Sequence, residues 1–262
     1  MKTAIKLVLI NLLIAQIVAP ILISIPCAAY LFATTGELDK VALTQMILIP
    51  AQLAGQLMIG VYLWKAGYIS KNRKTWSPVS ASYLLCSLVA ILTCGFVVSS
   101  LVSLLDRIPN IMEQSFDILQ SGCGGILAIT IVGPAVEELL FRGAITGALL
   151  RQYSPTKAIL LSALLFAVIH LNPAQMLPAF LIGTLLAWTY YKTGSLIPCI
   201  AMHILNNTLS VCLSIQYPEA ENLDDLISGT PYVIALCGAI LLFISTLLIM
   251  SSHHRRDGGR RG

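Results

Sequence analysis

Long apolar runs alternate with short polar breaks along the whole chain. From Leu7 to Gly36 there is no charged residue. A helix needs about 20 apolar residues to cross a bilayer. The runs predict about eight such segments, near residues 7–32, 41–64, 80–105, 122–150, 158–171, 174–191, 195–215 and 231–251. The fifth and sixth are short and joined by "LNPAQ", which predicts a hairpin that only just reaches the far side. Lipid leaves no place for an open sheet edge. The expected fold class is therefore an all-α polytopic membrane protein. The first run exceeds the short apolar core of a cleaved signal peptide, so it reads as a retained helix.

Composition agrees with this pattern. The chain is 57% hydrophobic and 11% charged, with a mean hydropathy of +0.84. A soluble domain carries about a quarter of its residues as charges. The seven cysteines, Cys27, Cys86, Cys94, Cys123, Cys199, Cys212 and Cys237, lie in apolar runs at no metal-like or disulfide-like spacing. They read as packing residues.

Charge then orients the segments. With an even number of crossings, every Lys and Arg except Lys40, Arg107 and the intramembrane Arg142 falls on one side. The acidic residues from Glu37 to Asp225, outside the motif below, collect on the other side. Positive-inside logic puts both termini in the cytoplasm. The net charge of +4 marks a face beside the anionic lipid bilayer, with no nucleic-acid site.

One stretch breaks the apolar pattern: "VEELLFRG", residues 136–143. Each Glu or Arg near the bilayer centre costs about 2.5–3.5 kcal/mol by insertion scales. Glu138 and Arg142 stand at i and i+4 and share a helix face. Glu137 points about 100° away and lacks that partner. Two further segments carry isolated polar groups: His170 in "FAVIHL", and His203 with Asn207 in "MHILNN". The remaining His253 and His254 fall in the basic tail. At about 1.5 Å per residue, Glu137, His170 and His203 would lie roughly 21, 18 and 12 Å below the cytoplasmic surface.

Two chemistries suit this set. In one, a Glu and a His deprotonate a water while the second His and the Asn amide donate to an oxyanion. In the other, Glu137, His170 and His203 bind zinc and Glu138 serves as base. Asn207 is a poor zinc ligand, which favours the metal-free form. No HExxH, nucleophile-elbow serine or GxGD-like aspartate pair is present.

"EELLFRG", "FAVIH" and "HILNN", in that order, resemble the EExxxR, FxxxH and HxxxN motifs of the CPBP family. These are the CAAX-processing and bacteriocin-processing (Abi-type) intramembrane proteases, related to Rce1-type prenyl-protein endopeptidases. The resemblance covers a catalytic core in helices 4–7 (122–215); the segment pattern adds an N-terminal three-helix membrane region (1–121), which carries no motif, and a C-terminal helix with a basic tail (216–262). The resemblance implies that Glu137 and His170 activate water and that His203 and Asn207 stabilise the oxyanion or help hold a zinc ion. Glu138 and Arg142 would brace the site. The implied substrate is a membrane-anchored protein or peptide, and the short loops and basic tail resemble bacterial members. Two other readings of the same residues stand beside it: a non-catalytic membrane immunity or scaffold protein, and a proton-coupled transporter, since intramembrane Glu and His also mark proton relays.

Overall fold

The computed structural model describes residues 1–70, 72–105, 108–220 and 223–258; of residues 224 and 253–258 it describes the backbone alone. The side chains of His253, His254 and the tail arginines thus lie outside the described residues, as do Lys71, Asp106, Arg107 and Glu221. Among the described residues the chain is helical, with no strand.

Among the described residues, nine helices of eight residues or more organise it: α1 (Lys2–Thr35), α2 (Lys40–Lys65), α3 (Ala81–Val102), α4 (Glu113–Gln120), α5 (Cys123–Leu150), α6 (Pro155–Val168), α7 (Pro173–Thr193), α8 (Ile197–Gln216) and α9 (Gly229–Gly258). Of these, α1, α2, α3, α5, α8 and α9 are long and apolar enough to cross a membrane. The expected count of eight is thus not matched; the difference lies in α6 and α7. With 14 residues, α6 is only about 21 Å long, short of the roughly 30 Å hydrocarbon layer. Helix α7 has the length but carries Gln175, Thr184, Thr189 and Lys192. The two pack along each other, and α6 keeps an outer face of Leu160, Leu164 and Val168 exposed.

Helix α5 is the hub. It touches α1, α2, α6, α7 and α8. Its Leu140, Phe141, Ile145 and Leu149 interlock with Leu7 of α1, Ile59 and Leu63 of α2 and Phe166 of α6. A second core joins Ile91 and Val98 of α3 to Leu186 of α7 and Met202 of α8. Helix α9 lies along α3 at the edge. All seven cysteines are free thiols, with Cys94 and Cys199 buried in the second core.

The basic segments gather at one end of the bundle. The Met1 ammonium donates to Gln152 Oε1 at 2.8 Å. Ser195 Oγ donates to the Ser77 carbonyl at 2.7 Å, and the Leu196 amide to the Thr75 carbonyl at 2.9 Å. These bonds join the N-terminus to the Arg151 turn and the Arg73–Trp76 3-10 turn to the Lys192 turn. Ser195 and Leu196 are buried under that turn. Helix α8 therefore starts inside the protein, not at its surface.

Candidate active site

The backbone of α5 is irregular in two places. Wider π turns run through Ala128–Val132 and Leu139–Thr146, on either side of the α-helical Gly133–Glu138. Pro134 explains the first. It has no N–H, and its ring would clash with the carbonyl four residues back. A wider turn relieves that clash but frees carbonyls. In lipid, freed carbonyls must find donors. Gln56 of α2 donates from Nε2 to the Ala128 carbonyl at 3.1 Å, and Asn207 of α8 from Nδ2 to the Ile129 carbonyl at 3.1 Å. Gly133 makes the approach of Gln56 feasible, because a Cβ there would sit 2.8 Å from Gln56 Nε2. Helix α1 repeats the device: its π turn at Ile14–Val18 precedes Pro20.

Beyond this distortion lies the charged cluster. Arg142 Nη1 donates to Glu138 Oε1 at 2.7 Å, and both side chains are 0% exposed. The i, i+4 pairing expected from sequence is present. Arg142 Nη2 also donates to the Gly183 carbonyl at 3.1 Å, and its guanidinium lies 4.5 Å from the Phe166 ring centre. The same Glu138 oxygen meets His203 Nδ1 at 2.8 Å. A carboxylate against an arginine accepts; Nδ1 of His203 therefore carries the hydrogen. The other nitrogen, Nε2, points at Glu137 Oε2 across 3.8 Å. Glu137 is 31% exposed, unlike its neighbour. The unequal surroundings of the two glutamates follow from their one-residue offset.

Phe166 links the two imidazoles. His170 and His203 both stand edge-on to its ring, with centroids 4.9 and 5.7 Å away. Nδ1 of His170 lies 2.8 Å from the Phe166 carbonyl. A carbonyl only accepts, so this nitrogen is also the donor and Nε2 is left free. Gly183 lets the ring sit there, since a Cβ on it would come within 2.9 Å of Phe166 Cδ1. Just past His170 the chain turns through Leu171 at φ +52°, a conformation costly for a branched side chain. The fully buried Asn172 secures the turn. It donates from Nδ2 to Asn110 Oδ1 at 2.8 Å and accepts from the Ile111 amide at 3.2 Å.

Glu137 and His203 therefore face each other, with His170 one ring away. The depths estimated from helix rise put His203 about 9 Å above Glu137. The buried start of α8 removes that offset. Asn207 lies one turn from His203 and holds the distorted α5 backbone, with one N–H still unassigned. Asn206 Nδ2 donates to Asn207 Oδ1 at 3.3 Å, which fixes the orientation of that amide. Sequence reasoning passed over Gln56, Asn172 and Gly183. A glutamine in the otherwise apolar α2 was a usable signal; the glycine and the loop asparagine gave none.

The zinc alternative fares differently. Both imidazoles have Nδ1 fixed by an acceptor and Nε2 free, as metal-binding histidines commonly do. Yet among the described residues no group of three or more His, Cys, Asp or Glu side chains gathers closely enough to hold a metal ion. The expected set of Glu137, His170 and His203 does not close into such a group, and no step is routed through one.

Comparison with known proteins agrees with the motifs. Residues 120–209 match the model of the "Type II CAAX prenyl endopeptidase Rce1-like" family. A protein of Bacillus subtilis (strain 168) named "Putative membrane peptidase YdiL" is 30% identical over 104 residues, 40% of this chain and 43% of that relative. The chain thus spans less than half the length of that curated relative. No solved structure matches. The three motifs on α5, α6 and α8 all lie within the matched segment, so residues 120–209 are similar to the CPBP/Rce1-type family.

Proposed function

We propose that the protein is an intramembrane endopeptidase that hydrolyses a peptide bond in a membrane-anchored protein or peptide, using a water activated by Glu137. One observation carries the reading. A partly exposed carboxylate faces an imidazole across 3.8 Å, and the far nitrogen of that imidazole is held by a fully buried, arginine-paired glutamate. A base, an oriented histidine and an orienting carboxylate are the parts that activation of a nucleophile needs.

The hydrogen-bond directions assign the proton traffic. Water gives one proton to Glu137, and its oxygen attacks the carbonyl carbon. His170, with Nε2 as an acceptor, helps hold that water. Neutral His203 also presents Nε2 as an acceptor; it donates to an oxyanion only as the imidazolium. In that form Nδ1–H stays on Glu138 and Nε2–H is the donor turned toward the site. The second N–H of Asn207 supplies the other donor. The proton on Glu137 then passes to the leaving amine as the C–N bond breaks. The products are a carboxylic acid and an amine, and the atoms balance without a metal. The termini and the basic end of the bundle face the cytoplasm in this reading.

The test is cleavage of a membrane-anchored, fluorogenic peptide by the purified chain in vesicles. Glu137→Gln keeps the size and removes the base, so its rate should fall by about 10²-fold or more. A Glu137→Gln protein that cleaves at the wild-type rate overturns the assignment.

A further inference from the structure

We infer that a groove between α6 and α7, at the basic end of the bundle, is a binding site for one phospholipid with an anionic headgroup. The groove has a volume of about 500 Å³ and lies outside the site described above. Its floor is a stripe of α6: Lys157, Leu160, Leu161 and Leu164, with Phe180 of α7 as one wall. The spacing i, i+3, i+4, i+7 puts these residues on one helix face. Lys157 and Leu164 are about 10 Å apart along the axis, enough for an acyl chain to lie against leucine while its headgroup stays beside the lysine.

Charge at the mouth selects the headgroup. Lys157 Nζ sits 4.9 Å from the Tyr153 ring centre, a contact that holds the ammonium near the top of the groove. Arg151 stands in the preceding turn, and the Met1 ammonium is anchored beside it on Gln152. No Asp or Glu occurs anywhere from residue 151 to residue 193. Among the described residues Lys157 has no carboxylate partner. Ser154, the N-cap of α6, makes no side-chain capping bond, so the first-turn amides of this 14-residue helix add to the positive mouth. A cationic mouth without a protein counter-ion, opening onto a leucine channel at the level of the other basic loops, matches a lipid phosphate above an acyl chain. A zwitterionic lipid fits the channel equally well, but it brings no net charge to the mouth.

The test is independent of peptidase activity. The full chain is reconstituted in nanodiscs of phosphatidylcholine and phosphatidylglycerol, released into mild detergent, and its retained lipids are measured by native mass spectrometry. Wild type should retain phosphatidylglycerol in excess of its share of the bilayer. Lys157→Gln should lower that enrichment about fivefold. Leu164→Trp, which fills the channel and leaves the charge, should lower total retained lipid. A Lys65→Gln variant, altered at the end of α2 on the same side and lining neither this groove nor the one on α1, should keep the enrichment. Three outcomes overturn the proposal: no enrichment in wild type; unchanged enrichment in Lys157→Gln; or an equal loss in Lys65→Gln, which would mean general surface attraction.

Discussion

Replacing Arg142 by Met separates what the buried charges do for the fold from what they do for the site. The guanidinium makes a 2.7 Å bond to Glu138 and a 3.1 Å bond to the Gly183 carbonyl, and both charged groups are fully buried. Methionine fills most of the volume but leaves the Glu138 carboxylate without its cation. Breaking a buried pair on one side costs about 3–5 kcal/mol. For a chain of this length that corresponds to a fall of roughly 10 °C in apparent melting temperature. The double variant Glu138→Leu, Arg142→Met removes both charges, a change that is often neutral or stabilising by about 1–4 kcal/mol. It should recover most of the lost melting temperature. It should not recover peptide cleavage, because His203 Nδ1 has lost its 2.8 Å acceptor. The measurements are fluorescence-detected thermal unfolding in detergent and the vesicle cleavage assay. A double variant that cleaves as fast as wild type would falsify the claim that Glu138 orients His203. An Arg142→Met protein that melts with wild type would refute the buried ion pair itself.

Gly183→Ala places a methyl 2.9 Å from Phe166 Cδ1; the ring on which both histidines rest must shift. Overpacking of this kind costs about 1–3 kcal/mol. Cleavage should fall by at least about tenfold, and a normal rate at a normal melting temperature would show that Phe166 does not set the geometry. Asn172→Ala frees the turn at Leu171 from Asn110 and Ile111; kcat should drop more than KM rises, and a pure KM effect would place Asn172 in substrate binding instead. Enzyme passed through a strong chelator and assayed in metal-free buffer should retain its activity; loss restored by zinc would replace the metal-free mechanism with a metal-dependent one.

Much of this arrangement was legible in the residues, and the limits were physical. The Glu138–Arg142 pair follows from helical spacing alone, and it is there at 2.7 Å. The solitary position of Glu137 followed from the same geometry. Hydropathy marked the lipid-facing helices, because lipid acts on composition directly. It also counted α6 and α7, of which α6 is too short by itself to cross and α7 carries more polar residues. Depth counting set His203 too shallow because it assumed that each helix begins at the surface, whereas Ser195 and Leu196 are tucked beneath Thr75 and Ser77. The partners of the distorted α5 backbone were out of reach for another reason. A freed carbonyl leaves no mark in its own residue type, so Ala128 and Ile129 gave no hint that Gln56 and Asn207 would bind them.

The buried network bears on whether the cluster is a site or a structural staple. Glu138 Oε2 and Arg142 Nε are buried without a hydrogen-bond partner among the described residues, and so is Gln56 Oε1. Each such atom costs about 1–3 kcal/mol. An ion pair serving stability alone gains from having every lone pair and proton matched, or from replacement by well-packed apolar residues. Here one Glu138 oxygen serves both Arg142 and His203 while the other has no partner. The cost falls where α5 is also distorted by Pro134, and where Asn207 must reach across to α5. Strain, incomplete hydrogen bonding and a half-open carboxylate thus meet within two turns of one helix. In the proposed chemistry each has a use: the turn presents Glu137, the carbonyl bond aims Asn207, and the shared oxygen sets His203.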